Sequence, residues 1–302
     1  MKDIVFLFGA GASYGAGAIL PESPPLGPQL YEALAISYPG SWGSLPGEVR
    51  ETFKQDFESG MQLIYDQYEL AIPALMREMA VYFIQFRPYE RSSLYCRLVS
   101  DLYSCGLLER VLFSTLNYEC VLEYSLAGQG HDIAYFDEGA VQDVPVWKLH
   151  GSCNMFLKGI MGMGITYGQQ ASIDGPAEAF LDQESVIKRC LVENDLAPIM
   201  CLYMKGKPIN ISPSIIKQVR EEWTRMVEKA KAVVCIGVRP LPEDEHIWQP
   251  LSAIQAPIYF IGDKEALESW RNSYRAGFTD YIGAKFGEAY NTLIRRLKGY
   301  ED

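Results

Sequence analysis

Five short stretches of the chain carry side chains suited to chemistry, each at the end of an apolar run. The first is Gly9-Ala10-Gly11-Ala12-Ser13, after Ile4–Phe8. Glycines there let the backbone approach a pyrophosphate, and the start of a following helix favours negative charge. The spacing departs from the G-x-G-x-x-G of dehydrogenases, because position 14 is Tyr14. A plain strand-to-helix turn fits the same residues, and Ser13 could either meet a phosphate or cap the helix. The second is Ser114-Thr115-Leu116-Asn117-Tyr118-Glu119. Polar groups at the carboxyl end of a parallel strand face the ligand crevice, although Asn117 would also serve as a helix cap. The third is Trp147-Lys148-Leu149-His150-Gly151-Ser152. Histidine is the side chain best suited to take a proton near neutral pH; a purely structural histidine is the alternative. The fourth is Cys235-Ile236-Gly237-Val238-Arg239, followed by Asp244-Glu245-His246, and the fifth is Ile261-Gly262-Asp263. An acidic residue at a strand end can hold ribose hydroxyls, and Asp263 could equally cap a helix beginning at Lys264.

These residues need a scaffold that brings strand ends together. Continuous apolar runs at Ile4–Phe8, Arg110–Thr115, Val144–Leu149, Pro198–Tyr203, Ala232–Ile236 and Pro257–Ile261 read as strands buried on both faces. Helices are expected over residues 26–36, Glu119–Leu126, Pro213–Ala230, Lys264–Tyr274 and Gly283–Leu297, with Ser212 as a cap before the N1 proline Pro213. Between the first two strands, Pro46–Phe86 and Ser93–Tyr103 have helical periodicity. Gly159–Gly168 reads as a loop. The expected fold is α/β: a Rossmann-like, doubly wound parallel sheet formed by residues 1–37 and 109–302, with residues 38–108 as a smaller inserted helical subdomain.

Composition narrows the function. With 302 residues and 48% hydrophobic content, the chain can bury a sizeable core. Its net charge of −11 makes direct binding to nucleic acid unlikely on electrostatic grounds. Seven cysteines without a C-x-x-C pair indicate reduced thiols in a cytoplasmic protein, not a disulfide framework or a zinc module. Three histidines, none at helical spacing from another, give no metal-ligand motif, so no metal is expected. Asp3 and the early glycines argue against a signal peptide, and no run is long enough to span a bilayer.

The order of the motifs resembles the sirtuin-like family: a Gly-Ala-Gly-x-Ser loop, Thr-x-Asn-Tyr, His-Gly-Ser, and a late strand ending in glycine. The resemblance covers roughly residues 4–30 and 108–298, and is nearest to bacterial sirtuin-like domains that degrade NAD in anti-phage defence. It implies that Asn117 and His150 are the catalytic pair. It places Gly9, Ala10, Gly11 and Ser13 along the phosphates, and Gly237 and Asp263 near the diphosphate and adenine ribose. Pro25 lies in a proline-bearing loop over the cofactor, and Thr115, Glu119, Gly151, Ser152 and Arg239 complete the expected cofactor-binding set. Two positions depart from the family: Glu119 stands where Asp is usual, and Arg239, which could pair with a phosphate, stands where serine is usual. The paired cysteines that hold zinc in deacylases are missing. The implied activity is an NAD hydrolase that releases nicotinamide and ADP-ribose, with NAD as substrate. The alternatives are an NAD-dependent protein deacylase and a non-catalytic NAD- or ADP-ribose-binding subunit of a defence complex. A homo-oligomer or a defence partner protein would restrain loss of NAD.

Overall fold

The computed structural model describes residues 2–137, 139–140, 143–165, 171–194, 196–241 and 243–300. Seven parallel strands form the central sheet: β1 (Ile4–Phe8), β2 (Val111–Thr115), β3 (Ile133–Ala134), β4 (Val144–Lys148), β5 (Ala232–Ile236), β6 (Ile258–Ile261) and β7 (Thr279–Gly283). Their order is β7-β6-β5-β1-β2-β4-β3, with parallel pairing throughout. From β1 the chain builds outward on one side, then returns to lay β5 against the other side of β1. That reversal is the topological switch point of a doubly wound sheet, where strand carboxyl ends open a crevice. The expected Rossmann-like α/β fold is therefore the fold observed.

The strands are apolar on both sides because helices cover both faces. Side chains alternate along a strand, so Ile4, Phe6 and Phe8 join one core with Phe113, Val234 and Ile236. Val5 and Leu7 join the other with Leu112, Trp147, Val233 and Cys235. On the second face Trp223, Trp248 and Trp270 bring in the helices Pro213–Lys229, Glu245–Ala253 and Lys264–Tyr274. Between β1 and β2 lie the helices Gly27–Ser37, Gly47–Gln55, Phe57–Gln67, Ile72–Ile84 and Leu94–Ser104. Tyr31, Trp42, Phe53 and Phe57 pack among them within the same core as Phe6 and Phe8. A strand, Arg87–Ser93, interrupts this stretch and pairs antiparallel with Gly17–Leu20.

Several expectations change. Pro198–Tyr203 is not a strand of the sheet. It runs beside the chain after β4, where Ile199 accepts from Ser152 and donates to Met155, and Cys201 donates to His150. An apolar run gives no sign of whether its backbone partners lie in a sheet or a turn. Two strands that were not expected complete the seven, Ile133–Ala134 at one edge and Thr279–Gly283 at the other, the latter half-buried along its length. Ser212 does not cap its helix: it has a left-handed backbone with φ of 48°, and its hydroxyl donates to the Gly175 carbonyl at 3.1 Å. Within the expected Gly159–Gly168 loop, Gly162–Ile165 pairs antiparallel with Ala171–Asp174, and residues 166–168 lie outside the described residues.

The turns after β1 and β5 touch through backbone. Gly237 has φ of +64°, and a β-carbon on it would lie 2.0 Å from the Ala12 nitrogen. Gly11 donates to the Gly237 carbonyl at 3.1 Å. Gly106 also has a positive φ, +67°, but open space where its β-carbon would go. Alanine at Gly106 should therefore cost only the left-handed conformation, roughly 1–2 kcal/mol. Gly237→Ala should cost clearly more, because the strand ends must part. Urea unfolding of the two variants measures the difference; equal losses would show that the crossing tolerates a side chain.

Candidate active site

Beyond Thr115 the chain turns, with the Asn117 N–H donating to the Thr115 hydroxyl at 3.0 Å. Asn117 does not cap the following helix, Val121–Ala127, whose N-cap is Cys120. Its side-chain amide faces three acceptors instead: the Gly9 carbonyl at 3.1 Å, Ser13 Oγ at 3.0 Å and Glu119 Oε1 at 3.0 Å. A carbonyl oxygen accepts only, which fixes Nδ2 toward Gly9 and turns Oδ1 the other way. Among the described residues no hydrogen bond reaches Oδ1, so the amide is held through its Nδ2 end.

The acidic neighbour of Asn117 works inward. Glu119 Oε1 accepts from Ser13 Oγ at 2.5 Å, and Oε2 accepts from the Val121 N–H at 2.6 Å. Its reach thus joins the β1 turn to the helix after β2. Ser13 is buried and also meets Tyr95 Oη at 2.9 Å, so its hydroxyl is engaged within the protein. Tyr95 comes from the helix Leu94–Ser104, in the stretch between β1 and β2; nothing in the motif pattern marks it. Burial first, then the charge of Glu119, pushes the Tyr95 phenol well above its usual range, so it stays protonated.

Beneath the turn lies a fully buried ion pair. Lys148 Nζ, at the end of β4, is 2.9 Å from Glu123 Oε1 and donates to the Glu119 carbonyl at 2.6 Å. Burial opposes the Lys148 charge, but the nearby Glu123, Cys120 and Glu119 outweigh it, and its pKa rises. Burial dominates at Glu123 and pushes its pKa up against the pull of Lys148. Removing one member of a buried pair strands the other, at about 3–5 kcal/mol. Lys148→Met should cost that much in chemical unfolding, and adding Glu123→Leu should recover a large part. Additive losses in the double variant would mean that the pair is not coupled.

His150 lies two residues past Lys148, as Asn117 lies two residues past Thr115. The register pairs Thr115 with Lys148, so the two side chains sit equally far beyond neighbouring strands. Gly151 follows with φ of +73°, and a β-carbon there would lie 2.1 Å from the Ile199 carbonyl oxygen. The turn is therefore open only to glycine, and Cys201 N–H closes it on the His150 carbonyl at 2.8 Å. The imidazole is buried, with Nε2 3.0 Å from His246 Nε2. One ring donates and the other accepts, so at least one Nε2 is unprotonated.

Burial, then His246, Arg220 and Lys207, hold the His150 pKa well below its ordinary value; burial and the two cations lower that of His246 to about 3. Both rings are neutral at pH 7. The sign follows from linkage: a histidine neutral in the fold takes up its proton only on unfolding. This contribution to stability is fully present above about 6.5 and is lost as the pH falls from there toward 3. His246→Gln should therefore flatten the acid limb of stability against pH in thermal melts. An unchanged limb would mean that the imidazole pair does not set it.

The remaining expected residues are placed as follows. Ser152 is buried and donates to the Tyr118 carbonyl at 3.0 Å. Asp263 is exposed and caps the helix Lys264–Tyr274 by accepting from Ala266 N–H at 3.1 Å. Arg239 is exposed beyond the Gly237 turn, Ala10 is exposed, and Pro25 is half-buried just before the helix Gly27–Ser37. Tyr95 and Glu123 lie outside the five motif stretches, and Lys148 and Asp244-Glu245-His246 lie within them with no role assigned by the pattern. A lysine inside the apolar run Val144–Leu149 and a glutamate on the buried helix Val121–Ala127 were the available signals.

A seven-stranded parallel sheet with a glycine crossing at its switch point defines a Rossmann-like α/β protein. No protein-family model matches the chain, and no curated protein matches it. Among the solved structures similar to this chain, two match over nearly its whole length. One is a crystal structure of Sir2 with the inhibitor EX-527, 2'-O-acetyl-ADP-ribose and deacetylated p53 peptide: 13% identity, TM-score 0.43, covering 99% of this chain and 94% of that one. The other is described as the structural basis of sirtuin substrate affinity: 14% identity, TM-score 0.43, covering 100% and 95%. At this similarity no residue role passes from those chains to this one. Among the described residues no helix is long and apolar enough to cross a membrane.

Proposed function

We propose that the chain binds NAD across the carboxyl ends of β1, β2 and β5 and hydrolyses its nicotinamide–ribose bond. The observation that carries this reading is the pairing of two groups past adjacent strands. One is an amide whose donors are consumed by Gly9, Ser13 and Glu119; the other is a neutral imidazole at His150. Breaking the bond builds positive charge on the ribose, as in glycoside hydrolysis. Nicotinamide is cationic in NAD and leaves neutral, so no general acid is needed. What is needed is an acceptor that orients a ribose hydroxyl or the attacking water, and a base that takes a proton.

Asn117 Oδ1 supplies the acceptor and His150 supplies the base. Gly9, Gly11 and Gly237 let the turns after β1 and β5 meet at the switch point, beside which the dinucleotide would lie. Ser13 and Glu119 accept from the amide, and Tyr95 holds Ser13. In a cell this activity would deplete NAD, which fits a role in anti-phage defence with restraint by self-association or a partner protein.

The test is release of nicotinamide and ADP-ribose from NAD by the purified chain. Asn117→Ala and His150→Ala should each lower the rate about 10²–10⁴-fold, with the double variant little worse than either single one. Melting temperatures on the same samples separate chemistry from folding. Normal turnover by either folded variant, or no turnover and no NAD binding by the parent chain, would overturn the reading.

A further inference from the structure

His150 is also one corner of a second arrangement. Asp244, at the start of the helix Glu245–Ala253, and His246, in its first turn, converge on it. One ligand atom from each of the three residues lies within 4.8 Å of the others. Asp244 is only 7% exposed, and although it occupies the N-cap position its carboxylate caps nothing. Among the described residues no hydrogen bond or ion pair reaches that carboxylate. A buried acidic side chain without such a partner is costly, and here it faces the two imidazoles.

We propose that His150, Asp244 and His246 form a binding site for one divalent transition-metal ion of the Zn²⁺ or Co²⁺ class. Two imidazole nitrogens and one carboxylate oxygen are the donors such ions take, whereas Mg²⁺ and Ca²⁺ prefer oxygen ligands. Metal–ligand bonds of about 2.0–2.2 Å put tetrahedral ligand atoms roughly 3.4 Å apart. The two Nε2 atoms are already 3.0 Å apart, so the ion replaces their hydrogen bond. Both rings then tilt so that their Nε2 lone pairs meet on the ion, and the Asp244 carboxylate closes from within 4.8 Å.

Two cations lie near the site, and each is engaged by partners of its own. Arg220 donates to the Leu149 carbonyl and Cys201 Sγ, and Lys207 is paired with Glu58. Asp244 and Glu58 balance these two positive groups. Entry is available through a cavity of about 520 Å³ on which His246 opens, between Lys207, Ile216, Arg220 and Gln249. Three protein ligands leave a fourth position for water or an exogenous group. The site shares His150 with the hydrolytic reading, and an ion on its Nε2 and a proton accepted there exclude each other.

Sequence spacing conceals the site. Asp244 and His246 are two apart across a helix start, and His150 arrives from a different strand. The experiment is titration of the full chain with Co²⁺, followed by its visible absorption. The expected result is saturation at one ion per chain, no thiolate-to-cobalt band, and displacement by Zn²⁺. Loss of a mere supporting contact to a metal ligand weakens affinity about 10–100-fold. Asp244→Asn and His246→Gln remove ligands themselves, so each should weaken Co²⁺ binding at least about a hundredfold while keeping the far-ultraviolet spectrum. No saturable absorption, a thiolate band, or undiminished affinity in the folded variants would overturn the proposal.

Discussion

The backbone of Gly237 rests on the turn Gly9–Ala12, and the width of the crevice follows from that contact. Two parallel strands can sit about 4.8 Å apart, but their outgoing loops normally need more room than that. Here the Gly11 N–H bonds to the Gly237 carbonyl, so the loops leave the sheet in contact instead of diverging. The Gly9 carbonyl is thereby held where the Asn117 amide reaches it. The site is built outward from this point, and its polar groups answer to a backbone geometry that tolerates no side chain.

From Asn117 a chain of polar contacts runs into the interior: through Glu119 to Ser13 and Tyr95 on one side, and to Lys148 and Glu123 on the other. Each link lies inside an apolar core, where an unmet donor or acceptor is expensive. That cost makes the arrangement rigid, since a shift of one member strands the next. It also ties three separate parts of the chain, the β1 turn, the β2 turn and the end of β4, to one side-chain geometry. Tyr95 ties the helical stretch between β1 and β2 to the β1 turn through Ser13.

Much of this was legible from residue patterns. The runs that became β1, β2, β4, β5 and β6 are continuous and apolar, because a parallel sheet covered on both faces admits no polar alternation. Glycine after such a run marks a strand end, and Asn117 and His150 were found that way. The edge strand Thr279–Gly283 was not, since it is half-buried and lacks the signal. Pro198–Tyr203 carries the signal without the role: its residues are buried against the turn after β4, and burial alone does not say which backbone is the partner. Long-range side-chain pairs such as Ser13 with Tyr95, or His150 with His246, leave no spacing in the sequence at all. Asp263 has two readings, and its observed bond is the helix-capping one, while the Ser152 hydroxyl donates to the Tyr118 carbonyl.

The pinning of the His150 turn by Ile199 and Cys201 has a thermodynamic side. The chain leaves that turn, wanders through Met155–Leu157 and the helix Gln183–Ile187, and returns to hold the same turn in place. Once both ends are fixed, the imidazole is indifferent to the length of what lies between them. Closing a flexible loop twice as long costs only about 0.6 kcal/mol more. Phe156, Val186 and Cys190 hold the excursion to the core, so residues are gained or lost cheaply at its exposed turn, residues 158–162, and not along its whole length.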